Sequence, residues 1–202
     1  MLALAEATNV DLIVIGTHGR SGFQRVILGS VAERVLARAR CPVMTVPPRS
    51  ADAVPFGRSM FSNVLCGVDY TPSSLKAMEF ATTLAREADA LLTLVNVVEP
   101  PSVFEPVPAG GVAVLDYQGA LVTSATARLH GSLPGDLARR SRARDLVVTG
   151  KPYEAILQLA REQKSDLIVV GAHGGLASIL GIGSTTNHLV REARCPVISI
   201  RA

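Results

Sequence analysis

The chain has 202 residues, of which 48% are apolar and 18% are charged, so it can bury the core of one medium-sized domain plus a fragment. This composition excludes a disordered chain, and a net charge of +3 is too small to indicate nucleic-acid binding. No apolar run reaches the roughly 18 residues of a membrane helix, and the first residues do not resemble a secretory signal. The three cysteines, Cys41, Cys66 and Cys195, are typical of a reducing compartment, so the expected location is cytoplasmic.

The sequence contains an internal repeat, which has to be recognised before the fold is interpreted. Residues 11–19 read DLIVIGTHG, and residues 166–174 read DLIVVGAHG. A glycine–serine pair and a helical stretch follow each run, and then comes ARCPVMTV or ARCPVISI. Residues 1–48 therefore correspond to residues 156–202, with one residue fewer in the second glycine-rich turn.

The first copy begins within a helix and supplies only the last strand, helix and strand of the repeated unit. Its second helix is expected to start with a capping box formed by Ser30 and Glu33. Residues 49–60 have the proline-rich and polar composition of a linker. We therefore divide the chain into a partial unit, 1–48, the linker, and a complete unit, 61–202.

The complete unit is predicted to alternate strands with helices. Its strands are NVLCGVD (63–69), LLTLVNVVE (91–99), DLVVTG (145–150), DLIVVG (166–171) and PVISI (196–200). Thr71 and Pro72 are expected to start the first helix, with Leu75, Met78, Leu84, Ala85 and Ala88 on its apolar face. A proline- and glycine-rich loop, 100–111, precedes a helix over about 114–130 that is broken near Gly131 and Pro134. The basic stretch 139–145 is expected to end a solvated helix, and Pro152 begins the next one.

Apolar strands that alternate with helices indicate an α/β fold, with a doubly wound five-stranded parallel sheet covered on both faces. In such a sheet, ligands bind at the carboxyl ends of the strands, where the strand order reverses. Asp69 and Gly171 end two of these strands, so they share a crevice if the strands are neighbours. Gly174 would let the backbone approach a ligand, and the helix after Gly183 would direct N–H groups at an anion. The alternative is that these glycines only form a tight turn.

Other chemistry finds less support in the sequence. There is no Walker A sequence, no HExxH and no zinc-type cysteine spacing, so we assign no catalytic residue and no metal ligand. Cys41 and Cys195 each precede a proline and are interpreted as small buried residues, with redox sensing as the alternative. His18 and His173 lie in the glycine turns, where they face either phosphate or solvent, and His130 and His188 are expected at the surface.

These motifs resemble the universal stress protein family over nearly the whole chain. The similarity rests on NVLCGVD, LLTLVNVVE, VTGKPYEAI, DLIVVGAHGG, GSTT and RCPVISI. ATP-binding members carry G-x2-G-x9-G-S/T after the fourth strand, and the first copy matches this pattern in full. The second copy has one residue fewer in the long gap. The resemblance implies a Rossmann-like fold of the adenine nucleotide alpha-hydrolase type, preceded here by a partial repeat of the same fold.

The resemblance also implies a nucleotide site, with ATP as the ligand and Mg²⁺ as its possible companion. The residues carried over are Val68, Asp69, Val97, Val170, Gly171, His173, Gly174, Gly183, Ser184 and Thr185. A partial site in the first copy consists of Gly16, Gly19, Gly29 and Ser30. Asn96 departs from the family, which commonly has Val or His at this position.

The usual dimer of the family joins fifth strands edge to edge, and tandem members make this contact within one chain. The resemblance thus implies either a homodimer or an intramolecular pairing of CPVMTV with PVISI. The first copy lacks the strand and the aspartate of the adenine side and cannot form a whole pocket. One edge of its first strand would be uncovered, so either the natural chain begins upstream or another copy covers this edge.

Three functions follow as hypotheses. The first is a stress-response protein regulated by bound ATP, with slow or no hydrolysis. The second is a dimerisation or interaction module of the same family that binds no nucleotide. The third, an enzyme of the wider nucleotide-binding α/β group, is disfavoured because the sequence reveals no nucleophile–base pair.

Overall fold

The computed structural model describes residues 1–17, 28–48, 61–100, 114–139, 142–172 and 182–202. The helices in these ranges are α1 (Leu2–Ala7), α2 (Ser30–Arg38), α3 (Pro72–Ala88), α4 (Val114–Gly131), α5 (Gly135–Arg139), α6 (Pro152–Glu162) and α7 (Ser184–Glu192). The strands are β1 (Ile13–Gly16), β2 (Val43–Val46), β3 (Asn63–Gly67), β4 (Leu91–Val98), β5 (Ala143–Thr149), β6 (Leu167–Gly171) and β7 (Val197–Ile200). Over these ranges, no helix is both long enough and apolar enough to cross a membrane.

The described strands form one seven-stranded sheet in the order β1-β2-β7-β6-β3-β4-β5. The five strands from β7 to β5 are parallel to one another, which confirms the sheet predicted for the second copy. From β3 the chain proceeds outward to β4 and β5, and it then returns to β6 and β7 on the other side of β3. The strand order therefore reverses between β3 and β6, and ligand crevices form at such points.

The two copies are joined by an antiparallel pairing of β2 with β7. Thr45 Oγ1 donates to the Val197 carbonyl at 3.1 Å, and Ser199 Oγ donates to the Val43 carbonyl at 3.3 Å. Because Thr45 and Ser199 are equivalent in the repeat, as are Val43 and Val197, an approximate two-fold axis relates these contacts. The predicted intramolecular pairing of the last strands is thus observed.

Two apolar cores lie on opposite faces of the sheet, which is why most strands are apolar on both sides. One core packs α2, α6 and α7 against side chains of the sheet such as Leu65 and Ile168. The other packs α3, α4 and α5 against the opposite face, where Leu92 and Leu94 are completely buried. The break predicted after α4 is present, since α4 ends at Gly131 and α5 begins at Gly135.

Helix α3 starts as predicted, and on its predicted apolar face Ala85 is buried while Met78, Leu84 and Ala88 pack against the core. Thr71 is the N-cap, its side chain accepts from the Ser74 N–H at 3.3 Å, and Pro72 opens the helix. The prediction that Leu75 belongs to the apolar face is wrong, because this residue is 38% exposed. The residues in close contact with the sheet are small, which lets the helix axis approach the strands: Ser73, Ser74, Ala77, Ala81 and Ala85.

The capping box predicted at Ser30 and Glu33 is wrong. Gly29 is the N-cap of α2, and Ser30 is already the first helical residue. The Glu33 carboxylate instead accepts from Arg191 Nη2 at 2.9 Å. Arg191 Nε also donates to Asn187 Oδ1 at 2.8 Å, and Asn187 is the repeat equivalent of Glu33. One arginine therefore connects equivalent positions of α2 and α7.

The basic stretch 139–145 extends from the end of a helix into a strand. Helix α5 ends at Arg139, but β5 begins at Ala143. Arg144 Nε donates to Thr93 Oγ1 on the neighbouring strand at 2.9 Å. Part of the stretch therefore belongs to the sheet, which the charge pattern alone did not indicate.

The cysteine environments favour structural thiols. Cys66 is completely buried, and burial raises its pKa to about 12. Burial, together with the negative charge of Asp166, also raises the pKa of Cys195 to about 12. Cys41 and Cys195 are half-buried and pack against the core. Because the thiolate is the reactive form, Cys66 and Cys195 are inert near neutral pH, which supports the interpretation of Cys195 as a small packing residue.

The junction between the copies can be tested by Thr45→Val, which keeps the shape of the side chain but removes its hydroxyl. We expect the free energy of unfolding, measured by urea denaturation, to fall by about 1 kcal/mol, because a buried hydrogen bond is lost. The matched control Thr83→Val removes a hydroxyl on the exposed face of α3 and should change this value by less than about 0.5 kcal/mol. Equal effects of the two substitutions would contradict a contribution from this contact.

Candidate functional site

The carboxyl ends of β3 and β6 lie side by side. The two strands run in parallel, with Cys66 opposite Val169. At their amino ends, the Asp166 carboxylate accepts from the backbone N–H groups of Ser62 at 2.7 Å and Asn63 at 3.0 Å. This carboxylate fixes the register of the pair, so the residues that follow β3 and β6 meet at the opposite edge of the sheet.

Asp69 lies at this edge, and its carboxylate is held by the start of α3. Asp69 Oδ1 accepts from the Thr71 N–H at 3.0 Å and from Thr71 Oγ1 at 2.6 Å. The Asp69 N–H donates to Ser74 Oγ at 3.2 Å. The residue is exposed, so these contacts orient a carboxylate at the mouth of the crevice without burying it.

Asn96 has a structural role beside the predicted adenine contacts. Its Nδ2 donates to the Val68 carbonyl at 2.7 Å, and the Val68 N–H donates to the Val95 carbonyl at 2.8 Å. The Val68 side chain is buried, and Val97, at the end of β4, is half-buried. The Asn96 side chain, which stands where the family commonly has Val or His, thus helps to fix the backbone just before Asp69. The sequence analysis did not anticipate this role.

Two helices converge on Gly171, at the end of β6. A Cβ added there would lie 2.6 Å from the Ser74 N atom and 2.8 Å from the carbonyl carbon of Ser73, so only glycine admits the backbone of α3. On the other side, Thr186 Oγ1 donates to the Gly171 carbonyl at 3.0 Å and attaches the first turn of α7. Thr186 was missed from the sequence, although its place in the GSTT stretch offered a signal.

Helix α7 presents its N-terminus at the same edge. Gly183 is its N-cap and carries no side chain that could accept from the first-turn N–H groups. Ser184 is exposed and Thr185 is half-buried, so their hydroxyls supplement these donors. Val170 differs from the other predicted contacts, because its side chain is buried in the core. His173 and Gly174 lie outside the described residues.

The partial site of the first copy is separate from this crevice. Gly16 ends β1, Gly29 caps α2 before Ser30, and the Gly29 N–H donates to the Thr17 carbonyl at 3.1 Å. Because β2 and β7 are antiparallel, the carboxyl end of β1 points to the opposite edge of the sheet. Asp69 and the partial site therefore do not meet, and Gly19 lies outside the described residues.

The fold and the crevice together define a class of protein. It is a doubly wound α/β protein in which a carboxylate and a helix N-terminus with a glycine N-cap lie on either side of a strand-order reversal. A carboxylate accepts hydroxyl hydrogen bonds, and a helix N-terminus binds anions. This combination suits a ligand that has both hydroxyl groups and a negative charge.

The family of the chain follows from comparison with known sequences. The profile of the universal stress protein family matches residues 1–47 and 60–201. The chain therefore belongs to the universal stress protein family.

Relatives and solved structures agree with this assignment. A universal stress protein of Mycobacterium tuberculosis strain H37Rv is 32% identical over 205 residues, which cover 98% of this chain and 64% of the relative. The chain thus spans less than two thirds of that relative. The fold resembles the crystal structure of a universal stress protein from Archaeoglobus fulgidus, with a TM-score of 0.67, 22% identity, and coverage of 99% of this chain and 65% of that one. Another solved universal stress protein, in complex with cAMP, is 25% identical with a TM-score of 0.51, over 70% of this chain and 97% of that one.

The close approach at Gly171 can be tested by Gly171→Ala. The new methyl group would overlap the backbone of α3, so we expect the free energy of unfolding to fall by about 2 kcal/mol or more. Gly119→Ala is a suitable control, because an added Cβ there has no neighbour within 4 Å, and alanine favours a helix by about 1 kcal/mol. The midpoint of thermal unfolding should therefore fall for Gly171→Ala and rise for Gly119→Ala. An unchanged midpoint in Gly171→Ala would show that α3 does not lie this close to β6.

Proposed function

We propose that this chain binds an adenine nucleotide, with ATP as the principal ligand, in the crevice between Asp69 and the N-terminus of α7. The observation that carries this proposal is the convergence of α3 and α7 on Gly171, next to an oriented carboxylate. The convergence occurs where the strand order reverses, which is the ordinary ligand position in sheets of this type.

The charges of the crevice determine how the nucleotide would lie. The phosphates belong at Gly183, Ser184 and Thr185, where the helix dipole and the first-turn N–H groups favour negative charge. They would be repelled by Asp69, whose carboxylate instead accepts hydrogen bonds from ribose hydroxyls. The adenine ring would then lie towards the half-buried Val97. Where Mg²⁺ accompanies ATP, phosphate oxygens and water would supply most of its ligands.

The start of α3 is a less suitable phosphate position, although it lies in the same crevice. Thr71 already caps this helix through its side chain, and Thr71 also contacts Asp69. A phosphate there would have to displace the cap and approach a carboxylate. The helix α7 carries neither obstacle, since its cap is Gly183.

The universal stress protein solved with cAMP supports the ligand class. That protein binds an adenine nucleotide and shares 25% of its residues with this chain over 70% of the chain. A cyclic monophosphate and ATP have the adenine ring and the ribose in common. The adenine ring and the ribose that both ligands contain therefore support the positions proposed for these two groups. The proposal that ATP is the principal ligand rests instead on the anion-binding N-terminus of α7.

In a cytoplasmic stress response, the protein would be regulated by whether a nucleotide is bound, and not by turnover of that nucleotide. In this proposal, hydrolysis of the bound nucleotide is slow or absent.

An interaction module without nucleotide is the second candidate, and the pairing of β2 with β7 favours it. That contact shows that the last strands form a specific antiparallel junction. In this chain the junction is intramolecular, so homodimerisation would require a different surface. Failure of every adenine nucleotide to bind would leave this second function.

The nucleotide proposal predicts that Asp69→Ala weakens ATP binding at least about tenfold, since hydrogen bonds to a charged group are lost. Isothermal titration with ATP and Mg²⁺, and separately with cAMP, measures the affinity. Asp69→Asn keeps an acceptor for Thr71 but removes the charge, so it should also weaken binding while leaving the start of α3 intact. Glu87→Ala, a change of an exposed carboxylate elsewhere on α3, should bind like the unmodified chain. Unchanged affinity in both Asp69 variants would refute the assigned site.

A further inference from the structure

Each copy of the repeat contains a cavity at the same place. In the second copy, a cavity of about 260 Å³ lies between the C-terminal ends of α6 and α7, at the amino end of β6. In the first copy, a cavity of about 320 Å³ lies between α1 and the C-terminal end of α2. All ten residues that line one cavity are the repeat equivalents of those that line the other. The two copies therefore allow the same cavity to be compared with two sets of side chains.

The floor of the cavity is apolar and alike in both copies. Leu157, Ile168 and Cys195 of the second copy correspond to Leu2, Ile13 and Cys41 of the first. Burial and the negative charge of Asp166 raise the pKa of the Cys195 thiol to about 12, so this floor carries no charge near neutral pH. Small-molecule sites combine such an apolar surface with a few convergent polar groups.

The rims of the two cavities differ in charge. In the first copy, Glu6 Oε1 lies 3.4 Å from Arg40 Nε and compensates the charge of that arginine. The second copy has Arg194 in the place of Arg40, but it has Arg161 in the place of Glu6.

The cations of the second rim lack such a partner. Within the described part of the chain, no ion pair is formed by Arg161, Lys164 or Arg194. The Glu192 carboxylate also lines this cavity, and its Oε1 lies 2.9 Å from His188 Nδ1. The rim of the second cavity therefore has an excess of positive charge above an apolar floor.

The backbone at Lys164 does not account for a lysine at this position. Its φ is 52°, in the left-handed region that asparagine adopts more readily than other residues with a side chain. The repeat equivalent is Asn9, with a φ of 48°. The second copy thus has an exposed lysine on the cavity rim, where the local conformation favours the residue of the first copy. An anion bound at the rim would explain the lysine, since its ammonium group is a hydrogen-bond donor and a positive charge.

We propose that the cavity between α6 and α7 binds a small monocarboxylate with an aliphatic tail. The carboxylate contacts Arg161, Lys164 and Arg194, and the tail lies on the apolar floor. A dianion such as phosphate suits the cavity less well, because the carbonyl ends of α6 and α7 oppose further negative charge. This cavity lies at the amino ends of the strands, whereas the nucleotide crevice lies at their carboxyl ends. Either proposal can therefore fail without the other.

The probe is sodium hexanoate, added to the full ¹⁵N-labelled chain at constant ionic strength and followed by NMR. We expect saturable shifts of the Lys164 and Cys195 amides, with much smaller shifts of the equivalent Asn9 and Cys41 amides. Hexanol, which lacks the charge, and inorganic phosphate, which lacks the tail, should each bind at least about tenfold more weakly.

Variants exchange the residues of the two copies. Arg161→Glu introduces the residue of the first copy and should weaken hexanoate binding at least about tenfold. Lys164→Asn removes one cation and suits the left-handed backbone, so it should weaken binding about threefold while the thermal midpoint stays unchanged or rises. A lysine with a structural role alone would instead give a lower midpoint and unchanged affinity. Lys76→Asn, at an exposed position of α3, is the control with unchanged binding.

Three outcomes would overturn the proposal. The first is that hexanoate causes no saturable shift at Lys164 and Cys195. The second is that phosphate or hexanol binds as tightly as hexanoate, since the cavity would then not recognise a carboxylate and a tail together. The third is that Arg161→Glu and Lys164→Asn both bind hexanoate with the affinity of the unmodified chain.

Discussion

The parallel pairing of β3 with β6 is the constraint on which the candidate site depends. It is held at one end by Asp166, which accepts from two backbone N–H groups, and at the other by the close approach of α3 to Gly171. Because these contacts fix both ends of the pair, Asp69 and the start of α7 meet at one edge. Within the described sheet, β1 pairs with β2 alone.

The pairing of β2 with β7 explains how a partial copy is held on the complete one. The hydroxyls of Thr45 and Ser199 make matching hydrogen bonds across the junction, and Arg191 adds a contact between α2 and α7. This arrangement turns the first copy around, so the carboxyl end of β1 and the start of α2 lie at the opposite edge from the start of α7. The second copy alone therefore contributes described residues to the crevice.

The sequence was sufficient for the features that depend on regular patterns. Continuous apolar runs indicated the parallel sheet, and the resemblance to the family implied the pairing of the last strands. It failed where a distant partner overrides a local signal. Glu33 matches a capping box, but Arg191, 158 residues away, takes its carboxylate. Leu75 fits a helical stripe, yet it is 38% exposed, and the fully buried residues of α3 are small ones. Thr186 and Asn96 act on backbone carbonyls that only the folded chain brings near.

The most direct test of the account is to denature freshly purified protein and identify the released small molecules by mass spectrometry. The account predicts an adenine nucleotide at close to one molecule per chain, lost when Asp69 is replaced by alanine. Protein that releases no nucleotide, and that also fails to bind added ATP with Mg²⁺, would contradict it. In that case, the crevice between Asp69 and α7 would be a structural feature of the strand reversal, and the interaction module joined by β2 and β7 would be the better account.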